Sequence, residues 1–125
     1  MIQFKEQKII VTSALPYANG PIHVGHLVEY IQTDIFVRFL RLIGKDVVYC
    51  CADDTHGAPI EIKASELGIK PEELIARFLK EHQEDFKNFH IEFDSYYTTN
   101  SKENKYFSDL FFERLQKKGL IYKKE

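Results

Sequence analysis

Tryptophan is absent from the 125 residues, and methionine occurs only at position 1. Cysteine is scarce: the two present, Cys50 and Cys51, are adjacent. A disulfide between chain neighbours closes a strained ring, and a zinc site takes about four ligands at spaced positions. With no Cys-x-x-Cys run, the segment offers no zinc ligands, and both cysteines are expected to be buried small apolar residues in a strand. No apolar stretch approaches the roughly eighteen residues of a transmembrane helix, and residues 1–8 lack the apolar core of a signal peptide. A cytoplasmic location with no membrane partner is therefore expected. The net charge of -2 and pI near 6.2 argue against a broad phosphate-tracking surface. There is no P-loop and no Gly-x-Gly-x-x-Gly run, no internal repeat and no low-complexity linker.

What is present suits one compact domain, with 44% of residues hydrophobic. Lys8–Thr12 is a short β-branched run, apolar on both faces, as in a buried parallel strand. Pro16, Asn19, Gly20 and Pro21 then make residues 13–21 a loop. From about Val24 to Ile43, Leu27, Ile31, Ile35 and Leu42 recur at helical spacing with Val28, Phe36, Phe39 and Leu40, and Gly44 follows as a stop. Asp46–Ala52 reads as a second apolar strand, which completes a βαβ unit. Further helices are expected over Ala58–Glu66, before Gly68, and over Pro71–Phe89, with Leu74, Phe78, Phe86 and Phe89 on its apolar face. Pro71, Glu72 and Glu73 suit the start of that second helix. Ser95–Thr99 reads as a short strand. A last helix spans Lys102–Lys118, with Ser101 as its cap and Gly119 as its stop, and Leu120–Lys124 begins another strand. His82 and His90 are expected at a helix surface.

The chemistry gathers where the first strand meets the first helix. His23 and His26 lie three residues apart, on one face of a helix start. A helix N-terminus leaves N–H groups unpaired and carries partial positive charge, so anions bind there. Two imidazoles add donors aimed at phosphate oxygens, and Gly25 removes a side chain where a nucleotide would approach. The carboxyl end of a parallel strand is also where open α/β sheets bind ligands. Donors fixed before negative charge develops on a phosphate stabilise the transition state more than the ground state.

The run Thr12-Ser13-Ala14-Leu15-Pro16-Tyr17-Ala18-Asn19-Gly20-Pro21-Ile22-His23-Val24-Gly25-His26 resembles the His-Ile-Gly-His region of methionyl-tRNA synthetases, a class I aminoacyl-tRNA synthetase family. Cys51-Ala52-Asp53-Asp54-Thr55-His56-Gly57-Ala58-Pro59-Ile60 is similar to that family's second block. Glu81–Phe86 and Tyr97–Ser101 agree with a third. The resemblance spans nearly the whole chain. It implies an α/β fold, a Rossmann-like (HUP-type) nucleotide-binding half-domain of parallel strands with helices on both faces. It also implies activation of methionine with ATP and Mg2+ for transfer to tRNA(Met).

By position, the resemblance gives His23 and His26 to catalysis and Asn19, His23, Gly25 and His26 to ATP. Leu15, Tyr17 and Asp54 go to methionine, with Asp54 on its ammonium group. The residues themselves leave other roles open: core packing for Tyr17, a turn for Asn19, a cap for Asp54. Asp53 is read as structural, and His56 as either structural or near the nucleotide. The family's Lys-Met-Ser-Lys-Ser loop, its zinc knuckle and its pocket tryptophan have no counterpart in these residues. The chain is therefore expected to be the amino-terminal half of a catalytic domain, 1–125, without the connective and anticodon-binding domains. It is expected to be inactive alone, working with the remainder of the synthetase if the enzyme is split. A small nucleotidylyltransferase with the same His-x-Gly-His site, or a non-catalytic binding module, remains the alternative.

Overall fold

The computed structural model describes residues 8–124. Strand β1 (Ile9–Val11) leads to helix α1 (Val24–Leu42), β2 (Val47–Asp53), α2 (Ala58–Leu67), α3 (Pro71–Asn88), β3 (Ser95–Thr98) and α4 (Lys102–Lys117). The strands form one parallel sheet in the order β1-β2-β3. Ile9 pairs with Val47 and Val11 with Tyr49, while Cys51 pairs with Tyr96 and Asp53 with Thr98.

The alternation of a strand decides which side of the sheet holds the core. Along β2, Val47, Tyr49, Cys51 and Asp53 are buried, and the residues between them are half-buried. Leu27, Tyr30 and Val37 of α1 and Phe86 of α3 pack on that buried face. Phe86 meets Tyr30 edge-on at 4.6 Å between centroids and also contacts Phe93 and Tyr96. A second cluster joins Ala18 of the first loop to Ile60 and Ala64 of α2 and to Leu74, Ile75 and Phe78 of α3.

The α/β, Rossmann-like arrangement of parallel strands is thus the one expected. The helices packed on the sheet, α1 and α3, share one face rather than covering both. Both crossovers step in the same direction along the sheet, and right-handed connections then fall on the same side. The opposite face is open among the described residues. Ile10 is 69% exposed there, so β1 is not buried on both faces as its composition suggested. Cys51 is buried but Cys50, on the open face, is only half-buried. Residues 120–124 form no strand, and α4 buries no residue.

Helix α1 departs most from its sequence pattern. Its buried residues are Leu27, Tyr30, Asp34 and Val37. Val28, Ile35, Phe36, Phe39 and Leu42 are exposed. A helix apolar around most of its circumference has no single face marked by composition. Polar anchors fix the rotation instead. Asp34 accepts from Arg38 and from the Glu92 N–H, and Arg38 donates to the His90 carbonyl at 2.7 Å. Arg41 reaches Asp94, whose carboxylate also accepts the Tyr49 N–H. Phe89, expected on the buried face of α3, is instead its exposed C-cap. His90 is exposed and lies beyond the helix, with a left-handed φ of 56°.

The aromatic cluster carries the packing. Phe86→Ala is expected to cost about 3–5 kcal/mol in urea denaturation, as for buried aromatics generally. Phe36→Ala, on the open side of α1, is expected to cost less than about 1 kcal/mol in the same 125-residue chain. Equal losses would contradict this assignment of the core.

Candidate functional site

The loop between β1 and α1 is held at several points. The Ala14 N–H donates to Glu29, and the Ala14 carbonyl accepts from the Tyr30 hydroxyl. Ser13 shares a 3.0 Å hydrogen bond with the Tyr49 hydroxyl. Further on, Tyr17 and Asp54 form a parallel bridge: the Asp54 N–H donates to the Pro16 carbonyl at 2.8 Å, and the Ala18 N–H to the Asp54 carbonyl at 2.9 Å. The loop therefore runs as a short extension of the sheet beside the carboxyl end of β2.

This arrangement places the residues expected at an amino-acid pocket. Leu15 is 44% exposed, between the tied Ala14 and the bridged Pro16. The Tyr17 ring is half-buried against the α2–α3 cluster, and its hydroxyl donates to the His56 carbonyl at 2.9 Å. Gly57, at φ 120°, leaves room for that contact, since a Cβ there would lie 2.9 Å from the Tyr17 hydroxyl. The Asp54 carboxylate is partly exposed and makes no hydrogen bond among the described residues. Asn19 is exposed, with its N–H on the Tyr17 carbonyl. The His56 Nε2 donates to the Thr99 carbonyl at 3.2 Å, so His56 ties the start of α2 to the end of β3.

At the start of α1 the two imidazoles act first on the helix itself. His23 is the N-cap, and its Nδ1 accepts the Gly25 N–H at 3.1 Å. The Nδ1 of His26 accepts the His23 N–H at 3.3 Å, closing a reciprocal capping box. The rings stack with centroids 3.8 Å apart. An imidazole nitrogen that accepts carries no proton, so in each neutral ring the proton sits on Nε2. The cap thus fixes the tautomer and turns both Nε2–H groups into donors. Gly25 also makes room for the cap: a Cβ there would stand 3.0 Å from Cε1 of His23. The space beside it is taken by the capping ring. Burial lowers the His26 pKa, assisted by nearby His23 and His82 and opposed by Glu29. Desolvation thus favours the neutral donor form.

The residue that sequence reasoning misplaced is His82. It was expected at a helix surface but is fully buried. Its Nδ1 lies 2.9 Å from Asp53 Oδ1, and its Nε2 donates to the Gly20 carbonyl at 2.8 Å. The Tyr96 hydroxyl donates to the same carboxylate oxygen. Asp53 is also fully buried, a structural residue as expected, and its Oδ2 has no partner among the described residues. Burial pushes the His82 pKa down, but the hydrogen bonds to Asp53 and Gly20 and the carboxylate charge carry it above 6.5. Four-residue spacing would have revealed it, since Leu74, Phe78, His82 and Phe86 form one row along α3.

No group of three or more His, Cys, Asp or Glu among the described residues is placed to hold a metal. The resemblance implies Mg2+, but these side chains do not form a site for it. No described helix is long and apolar enough to cross a membrane.

Fold and site together define an α/β, Rossmann-like domain with two imidazoles at the start of the first helix of a parallel sheet. A family model described as "tRNA synthetases class I (M)" matches residues 9–125, and the chain belongs to that family. It is 60% identical over 115 residues to the methionine–tRNA ligase of Myxococcus xanthus (strain DK1622), covering 92% of this chain and 16% of that protein. Identity to the Nitrosomonas europaea methionine–tRNA ligase is 57% over the same shares. The chain therefore spans about a sixth of the length of these curated relatives. The solved Mycobacterium tuberculosis methionyl-tRNA synthetase in complex with methionyl-adenylate superposes with a TM-score of 0.88 at 31% identity, over 90% of this chain and 22% of that one. The Agrobacterium radiobacter K84 LeuRS–tRNA–LeuAMS complex matches with a TM-score of 0.85 at 24% identity, over 96% of this chain and 16% of that one, which supports the fold alone.

The two environments predict opposite titrations. His82 gains its proton on folding, so the stabilisation from its charged form is full below about pH 6.5 and fades as pH rises through its higher folded value. His26 resists protonation, so it opposes folding as pH falls below about 6.5. Ring 15N shifts followed against pH should place the His82 midpoint above 6.5 and the His26 midpoint below it. The reverse order would contradict the structure.

Proposed function

We propose that this chain is the amino-terminal half of the catalytic domain of a methionine–tRNA ligase, binding ATP and methionine. The complete enzyme forms methionyl-adenylate and transfers methionine to tRNA(Met). Identity of 57–60% to curated methionine–tRNA ligases supports this substrate choice, and so does the likeness to a solved relative in complex with methionyl-adenylate.

The observation that carries the reading is the capping box, which leaves two Nε2–H donors at a helix N-terminus. The methionine carboxylate attacks the α-phosphorus of ATP, and the bond to pyrophosphate breaks. A carboxylate is already an adequate nucleophile, so no general base is required. Negative charge that develops on the phosphates meets His23, His26 and the unpaired amides of the first turn of α1, with Asn19 beside them. Gly25 contributes indirectly, by admitting the capping ring. Methionine lies along Leu15 and Tyr17, with its ammonium group on the free Asp54 carboxylate. An apolar aromatic ring suits the thioether.

These roles make the phosphate and methionine contacts separable in kinetics. In the complete enzyme, His23→Ala and His26→Ala should each lower methionine-dependent ATP–pyrophosphate exchange by about 10²–10³ in kcat, as loss of one transition-state donor does. Asp54→Asn should act mainly on the KM for methionine. This segment alone is expected to be inactive. Failure of the complete wild-type enzyme to show exchange would overturn the proposal.

A further inference from the structure

His82 offers no edge to a ligand, yet both of its ring nitrogens are engaged inside the fold. Its two partners lie on the two segments that carry every residue assigned to substrate. Gly20 follows Asn19 and precedes the His23 cap by three residues, and Asp53 immediately precedes Asp54.

Gly20 needs such a hold. A Cβ at that position would meet nothing within 4 Å, so no side chain packs against that side of Gly20. Ile22 rests on the core cluster and anchors the next residue but one. The direction of the backbone at Gly20 is set by its carbonyl, and that carbonyl accepts from His82. Asp53 in turn holds the imidazole: it accepts at Nδ1, and Tyr96 donates to the same oxygen from β3.

We propose that His82 is a positioning residue for methionine activation, fixing the Gly20 carbonyl and through it the direction in which His23 and His26 present their Nε2–H groups. This rests on the functional reading above. The competing role is purely structural, with His82 serving only to neutralise the buried Asp53. The two roles use different ring nitrogens, and amide side chains can separate them. Glutamine places its amide near the Nε2 position and can keep the Gly20 bond. Asparagine places its amide near the Nδ1 position and can keep the Asp53 bond.

In the complete enzyme, His82→Gln should retain kcat for ATP–pyrophosphate exchange within about threefold of wild type. His82→Asn should lose about tenfold or more, with KM for ATP and methionine changed less than about twofold, because the loss falls on the transition state. Tyr96→Phe, which removes a donor to Asp53 and leaves the Gly20 bond, should stay within about twofold of wild type in kcat while its Tm falls. The inference is overturned if His82→Asn is as active as His82→Gln, if kcat follows Tm across the variants, or if Tyr96→Phe loses tenfold. Absence of exchange in the wild-type enzyme would defeat the functional reading itself. The amide resonances of Gly20 and of residues 22–26 then decide this one: displacement by His82→Asn but not by His82→Gln supports it, and any other pattern overturns it.

Discussion

A buried imidazole between a carboxylate and a backbone carbonyl is the joint on which this site turns. His82 reaches from α3 to Asp53 on the central strand and to Gly20 in the loop before α1. A buried carboxylate is costly unless paired and hydrogen-bonded, and Asp53 is fully buried. The pairing that offsets this cost also joins three elements that carry or support the site. Neighbouring ties, Tyr17 with Asp54 and Tyr30 with Ala14, hold other parts of the same loop but leave Gly20 free.

The helix terminus shows a related economy. A capping residue normally satisfies one unpaired N–H. Here two imidazoles satisfy each other's segment reciprocally, and by accepting at Nδ1 they commit their protons to Nε2. One set of hydrogen bonds thus starts the helix, selects the tautomer and arms two donors. Gly25 belongs to this device because a side chain there would collide with the His23 ring. The capping bonds and the proposed phosphate donors belong to the same two rings, so changes at His23 or His26 touch both.

Much of this was legible in the sequence. Apart from the strand expected at residues 120–124, the helix and strand runs matched the elements to within a few residues, because Pro71, Gly68, Ser101 and Gly119 act locally on the backbone. The contiguous blocks around His23 and Asp54 led to the family that the comparisons show. Burial was less legible. On α1, Phe36 and Phe39 are as apolar as Leu27, and the polar anchors of Asp34, Arg38 and Arg41 determine which side faces the sheet. Composition made β1 look buried on both faces, yet only one face meets packed helices among the described residues. His82 was misplaced because its neighbours Glu81, Gln83 and Glu84 are polar. Its four-residue row with Leu74, Phe78 and Phe86 marks the burial, but its acceptor lies 29 residues away in sequence and no local pattern reveals it.

The central claim is that His82 is bonded at both ends, to Asp53 and to Gly20, and that this fixes the loop against the sheet. A through-hydrogen-bond scalar coupling measured on isotopically labelled complete enzyme tests it most directly. At about pH 6, below the ordinary imidazole pKa, the account predicts protons on both His82 nitrogens and a resolved coupling from Nε2 to the Gly20 carbonyl carbon. A neutral ring with no coupling to Gly20 would contradict it.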